Sequence, residues 1–321
     1  MTHDYVIIGA GPAGLACAIE AEKLGRSCLV LDKGCLANTI YSLPADLIFF
    51  STPDLLQIGE LVFISQNFRP ARAEVLKYYR AVADHYRLKV SAFEKVTAVV
   101  GENGGFTVET LRHNGERRAH KARNVVFATG YYDNPNMLHI HGEGFSAKVS
   151  HYYSEAHPYS GMDVAIIGGK NSAVEAALNL YRAGARVTII HRGPSLSDSV
   201  KYWVRPDIEK RLEGGQIKAM FMSEVAEIHP AGIMVRNRST GEVKGIPNDF
   251  VFALTGYHPD VTLLKSCGVE VDQYTLAPLH NPETLETNVP GIYVAGSIVA
   301  GLNNNKVFIE NSREHGKLII R

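Results

Sequence analysis

The sequence predicts an α/β protein of two three-layer domains, the second inserted into the first, and three observations carry that expectation. A glycine phrase at the end of an apolar strand occurs twice, as Tyr5-Val-Ile-Ile-Gly9-Ala-Gly11-Pro12-Ala13-Gly14 and as Val164-Ala-Ile-Ile-Gly168-Gly169-Lys170-Asn171-Ser172-Ala173. Each copy opens an amphipathic stretch and is followed by a second apolar strand, Ser27 to Leu31 and Arg186 to Ile190. A strand-Thr-Gly phrase then closes both halves at matching places, Thr129-Gly130-Tyr and Thr255-Gly256-Tyr. Strand, glycine turn, helix and strand in that order is the Rossmann-like βαβ plan.

In the first copy, Gly9 permits the tight turn and Gly11 lets the backbone approach a pyrophosphate. Gly14 lets the helix pack close to the strand. The helix N-terminus then offers unbonded N–H groups and partial positive charge to phosphates. Proline is tolerated in a first helical turn, so a helix is expected from Pro12 to about Leu24, with Gly25 placed to end it. The second strand ends in Asp32, the acid about 20 residues on that binds ribose hydroxyls.

The second copy departs from the pattern. Lys170 replaces the middle glycine and Ala173 the last. Gly168 and Gly169 still make the turn, and Ala173 is small enough for close packing. The Lys170 side chain either points outward or brings its ammonium to the phosphate. The following strand ends in His191-Arg192 and carries no acid. An arginine binds a ribose 2′-phosphate that a carboxylate would repel, so NADPH is expected here over NADH. Lys201 and Arg205 follow, either as added charge or as ordinary surface cations. Two dinucleotides in one chain imply electron transfer between them.

Composition fits this reading. The 321 residues suffice for two domains, with 45% hydrophobic and 21% charged residues. Lys+Arg and Asp+Glu are both 33, and this balance argues against a nucleic-acid partner. The first strand starts by Asp4 or Tyr5, so no signal peptide is expected. No apolar run approaches the length of a membrane span, so no membrane association is expected, and the expected location is the cytoplasm. Cys17, Cys28, Cys35 and Cys267 form no Cys-x-x-Cys pair and have no metal-ligand spacing. Many flavin disulfide reductases use a local cysteine pair, and this chain shows none.

Between the two copies, an irregular stretch runs from Lys33 to Arg72, then a helix from Ala73 to about Tyr86. A polar meander follows through Val96, Phe106 and His120, and then a buried strand from Asn124 to Phe127. After the second βαβ unit, a helix is expected from Pro206 to Glu213, followed by further strands. Gly291-Ile-Tyr-Val-Ala-Gly296-Ser297 and a helix from about Lys306 return the chain to its first domain.

The order of these phrases resembles the thioredoxin-reductase-like flavoproteins, and most closely the bacillithiol disulfide reductase family. The resemblance rests on Gly168-Gly-Lys-Asn-Ser-Ala-Val-Glu-Ala-Ala-Leu, Lys201-Tyr-Trp-Val-Arg-Pro, Asn248 to Asp260, and Phe308-Ile-Glu-Asn-Ser-Arg-Glu-His-Gly316. It covers essentially the whole chain. It implies an FAD domain, 1–125 and 260–321, interrupted by an NADPH domain, 126–259. It also implies FAD contacts at Gly9, Gly11, Pro12, Ala13, Gly14, Asp32, Lys33, Thr129, Gly130, Gly296 and Ser297. NADPH contacts are implied at Gly168, Gly169, Lys170, Asn171, Ser172, His191 and Arg192. The implied acceptor is a low-molecular-weight disulfide such as bacillithiol disulfide, and the protein is expected to form homo-oligomers. No catalytic side chain is assigned, and no metal is expected. Two departures stand out. Ser297 replaces the aspartate common in larger FAD families, and Ala13 stands where the subfamily carries a cysteine. Cys17, one turn further on, is expected as a buried core thiol. A ferredoxin–NADP reductase and a flavin-binding redox sensor without turnover remain the alternatives.

Overall fold

The computed structural model describes residues 1–102, 104–303 and 306–321. In chain order, the first part contains β1 (Thr2–Ile8), α1 (Pro12–Lys23), β2 (Cys28–Leu31), α2 (Asn38–Tyr41), α3 (Pro53–Leu56) and α4 (Arg72–His85). It continues with β3 (Val90–Ser91), β4 (Glu94–Val100), β5 (Phe106–Arg112) and β6 (Arg117–Phe127). The middle part holds β7 (Val149–Ser150), β8 (Asp163–Ile167), α5 (Asn171–Arg182), β9 (Arg186–Ile190) and α6 (Arg205–Glu213). It ends with β10 (Lys218–Met220), β11 (Ser223–His229), β12 (Gly232–Asn237), β13 (Val243–Pro247) and β14 (Phe250–Ala253). The last part holds α7 (Thr262–Ser266), β15 (Ile292–Val294), α8 (Ile309–Ser312) and α9 (His315–Ile319).

These elements form two compact units, 1–134 with 257–321, and 135–256. The first division falls later than the expected 125/126, for a physical reason. β6 is a ladder partner of both β1 and β15, so the chain cannot leave the first unit before Phe127. The return likewise falls at Tyr257, before the expected 260. The expected last helix starts at Ile309 rather than near Lys306.

The first unit is built on one sheet, in the order β3-β2-β1-β6-β5-β4, with β15 also on β6. Pairing is parallel from β3 to β6 and antiparallel through β4 and β5. Alternation along β1 sets the layers. Tyr5 and Ile7 join a core with α1 and α9, while Val6 and Ile8 join one with Phe106, Val108 and Val294. Leu15 and Ile19 on α1 pack instead against Tyr79 and Val82 of α4. Apolar side chains so placed contribute about 1.5–3 kcal/mol each, and this burial presses the layers together.

The second unit repeats the plan with a parallel sheet, β10-β9-β8-β14-β7, and a separate antiparallel sheet, β11-β12-β13. Val164 and Ile166 face the α5 side, and Ala165 and Ile167 face the three-stranded sheet. Among the described residues, no helix is long and apolar enough to cross a membrane, and no cluster could hold a metal ion.

Candidate functional site: two glycine cradles

The first cradle lies where β1 runs into α1. Gly9 has φ +114°, and a Cβ there would stand 2.3 Å from the Ala128 carbonyl oxygen, so only glycine fits. A Cβ on Gly14 would lie 2.0 Å from the Gly9 oxygen, so helix and strand meet backbone to backbone. Gly11 differs, since nothing lies within 4 Å of a Cβ built there. That open ground faces the first-turn N–H groups of α1, a place for a pyrophosphate. The residues present therefore fit a dinucleotide.

Asp32, at the end of β2, closes the cradle. Its Oδ2 accepts the Ala10 N–H at 2.7 Å and its Oδ1 accepts the Gly34 N–H at 2.8 Å. Burial pushes its carboxyl up, and these two donors pull against that. Each oxygen keeps a lone pair for a ribose hydroxyl. Lys33, by contrast, is ion-paired to Asp133 at 3.0 Å.

The far side of the cradle comes from distant segments. The Thr129 nitrogen lies 3.4 Å from a Cβ built on Gly9, and a Cβ on Gly130 would be 3.7 Å from Ser297 Oγ. A Cβ on Gly296 would be 2.9 Å from Ala13 Cβ. Pro12 occupies the first turn of α1, as expected. His315 was not singled out from sequence, although it lies within the Phe308–Gly316 phrase. Its Nδ1 accepts the Gly296 N–H at 3.1 Å. Burial, then His280, lowers this imidazole to about 4, so it is neutral with its proton on Nε2.

The cysteines are all unbridged. Cys17 is completely buried beside Tyr5, Ile7, Ala18 and Ile319. Burial, with Cys28 and Glu20 adding to it, pushes its thiol far above the ordinary range. Such a thiol is not a nucleophile at neutral pH. Cys35 is partly buried beside Asn38 Oδ1, at 3.5 Å.

The second cradle has the same logic with different atoms. Gly168 has φ +151°, and a Cβ there would sit 2.6 Å from the Leu254 oxygen and 3.0 Å from Ala173 Cβ. A Cβ on Gly169 would strike the His191 ring at 2.6 Å, so this imidazole covers the turn. Burial, then Arg192, lowers the His191 pKa. Lys170 is exposed and extended at the cap of α5, and Ser172 is exposed in its first turn. The Asn171 side chain is committed elsewhere. Its Nδ2 donates to the Ser199 carbonyl at 2.9 Å and its Oδ1 accepts the Lys201 N–H at 2.9 Å. Ser197 N–H adds a bond to the Gly169 carbonyl at 2.9 Å. Together they strap residues 197–201 over the helix start. Lys201 Nζ is paired with Glu175 at 2.6 Å, and Arg205 with the Ser197 carbonyl at 2.7 Å and Glu209 at 3.0 Å. These two cations are therefore engaged within the strap, while Arg192 is exposed at the end of β9.

Two such cradles in one chain fit two dinucleotides, the arrangement of a flavin- and pyridine-nucleotide-dependent oxidoreductase. The family profile described as pyridine nucleotide-disulphide oxidoreductase matches residues 6–296. The chain is 44% identical to the bacilliredoxin reductase Bdr of Bacillus subtilis (strain 168), over 97% of its own length and 94% of the relative. It also matches the solved bacillithiol disulfide reductase Bdr (YpdA) from Bacillus cereus, with TM-score 0.96 and 44% identity over 99% and 98% of the two chains. The Staphylococcus aureus counterpart gives TM-score 0.93 and 42% identity over 99% and 97%. The chain belongs to the bacillithiol disulfide reductase family of pyridine nucleotide-disulphide oxidoreductases.

Proposed function

We propose that the first cradle holds FAD, the second holds NADPH, and the electron pair is delivered to a low-molecular-weight disulfide such as bacillithiol disulfide. Support comes foremost from the pairing of one cradle closed by an acid, Asp32, with another closed by an arginine, Arg192. The acid suits ribose hydroxyls, and the arginine suits a 2′-phosphate. When bound, NADPH supplies a hydride and FAD relays its electron pair, and the protein contributes binding and orientation. Gly11 and the α1 N-terminus receive one pyrophosphate, and Asp32 orients the ribose. Gly130, Gly296 and Ser297 line the opposite wall, and His315 holds the Gly296 turn in place. Gly168, Gly169 and the N–H groups of Asn171 and Ser172 receive the other pyrophosphate.

The relatives' names give two acceptors, a small disulfide and a small protein. Ala13 favours a further reading, since no thiol stands at that wall. In that reading the chain acts as a ferredoxin–NADP reductase, passing electrons to a one-electron carrier. One set of measurements separates them. Heat release and chromatography should give FAD, and release of FMN would end the first assignment. NADPH should exceed NADH by at least about tenfold in kcat/KM, as for one charge-assisted contact. Turnover is then compared with bacillithiol disulfide, a bacilliredoxin disulfide and ferredoxin. Turnover of ferredoxin alone would replace the disulfide reading.

A further inference from the structure

Resting on the NADPH reading, we infer that Arg238 is a second arginine that recognises the ribose 2′-phosphate and helps set the preference for NADPH. Arg192 stands exposed at the end of β9, next in sequence to His191, whose ring covers the Gly169 turn. Arg238 reaches the same strand end from just past β12, in the other sheet of the unit. Its Nη1 donates to the Arg192 carbonyl oxygen at 3.4 Å.

This proximity is held by backbone bonds. Beyond β9 and β10 the ladder continues, with His191 N–H on the Met220 oxygen at 3.0 Å and Ser223 N–H on the His191 oxygen at 3.0 Å. Met222 N–H donates to the Gly193 oxygen at 2.9 Å, and Arg238 N–H donates to the Met222 oxygen at 2.7 Å. The two arginines are thus fixed through one short run of main chain.

Charge points the same way. Around this strand end, Lys201 is paired with Glu175 and Arg205 with Glu209. His191 covers the glycine turn with a ring that burial keeps neutral. Glu224 touches Arg238 Nε at 3.5 Å and Arg236 Nη1 at 3.7 Å, so one carboxylate faces two guanidinium groups. The Arg238 side chain is 48% exposed, which leaves it accessible to a ligand. A phosphate dianion is best met by two planar, forked donors, and two arginines supply them.

The test uses the flavin-loaded protein and two nucleotides that cannot be turned over, 2′,5′-ADP and 5′-ADP, by calorimetry. Native protein should bind 2′,5′-ADP at least about tenfold more tightly than 5′-ADP. Arg238→Gln should weaken 2′,5′-ADP by about tenfold and leave 5′-ADP within about twofold. The KM for NADPH should rise with kcat and the NADH constants unchanged. Arg238→Lys, which keeps charge and loses the fork, should fall between, and it serves alone if the Gln variant does not fold. An unchanged preference in both variants would overturn the role of Arg238 while leaving the NADPH reading intact. Equal loss for both nucleotides would mark a structural residue and would also overturn it. No preference in the native protein would overturn the NADPH reading and, with it, this inference.

Discussion

Two side chains show how much their surroundings decide. Cys17 is a thiol by sequence and a core methylene-like group by environment, fully buried against the first strand. Hydride delivery to the flavin needs no protein thiol. Cys17→Ser should therefore leave NADPH-to-flavin reduction within about threefold of native, measured by stopped-flow absorbance, while stability falls by about 1–3 kcal/mol because the buried hydroxyl needs a partner. Loss of disulfide turnover alone in that variant would make Cys17 the working thiol after all. Glu94 is the second case. It is fully buried, and it accepts from Ser91 Oγ and Thr110 Oγ1 at 2.6 Å each and pairs with His120 Nε2 at 2.7 Å. Burial works to raise its pKa, but these three partners outweigh it and bring the carboxyl down to about 2. A depressed carboxyl stabilises the folded state above its unfolded value near 4.5, and that contribution is lost as pH falls through about 2. Glu94→Gln should cost about 2 kcal/mol at pH 7 in urea titrations. The two stability curves should then converge as pH drops from 4.5 towards 2, and a constant offset across that window would refute the account.

At the scale of elements, α1 does two separable jobs. Its Gly14 face docks on the Gly9 backbone, and its Gly11 end is open to a ligand. Gly11→Ala should fold with a native-like melting temperature yet retain flavin poorly, because the new methyl stands in the phosphate's approach. Gly14→Ala should lower the melting temperature itself, since its methyl would overlap the Gly9 carbonyl. Purified variants, compared by absorbance at the flavin band and by thermal melting, distinguish the two. Loss of folding in both would mean that Gly11 is structural. The second cradle's helix, α5, is fastened differently. There Asn171, which sequence reading assigns to the nucleotide, binds residues 199 and 201 instead. Its backbone, not its side chain, is left for phosphate.

For the whole molecule, the insertion is clean at both crossings. On the first unit's side, His258 N–H donates to the Asn134 oxygen at 2.9 Å, and Tyr132 and Tyr257 have ring centroids 4.4 Å apart. On the second unit's side, Asn136 N–H donates to the Gly256 oxygen at 2.9 Å. The two chain crossings thus run side by side, and a short linker can replace everything between them. Deleting residues 135–256 and joining Asn134 to Tyr257 through two glycines should give a folded, yellow protein that NADPH no longer reduces. A colourless, unfolded product would show that the first unit depends on the second.

The sequence alone determined the two βαβ units, their glycine turns and Asp32, because these are local patterns. A strand's alternation, a turn's need for glycine and a helix start all act within about 30 residues. The Ala13 departure is marked through the sequence's resemblance to a family that carries a cysteine at that motif position. Tertiary structure alone decided where side chains spend their bonds. Lys33 turns to Asp133, and Lys201 to Glu175. His315 reaches the Gly296 N–H, and Arg238 reaches the Arg192 carbonyl from another sheet. The later domain boundary has the same origin, because β6 is claimed by β15 from the far end of the chain. Each of these is a hydrogen bond or ion pair chosen among many possible partners, and only packing brings one partner within reach.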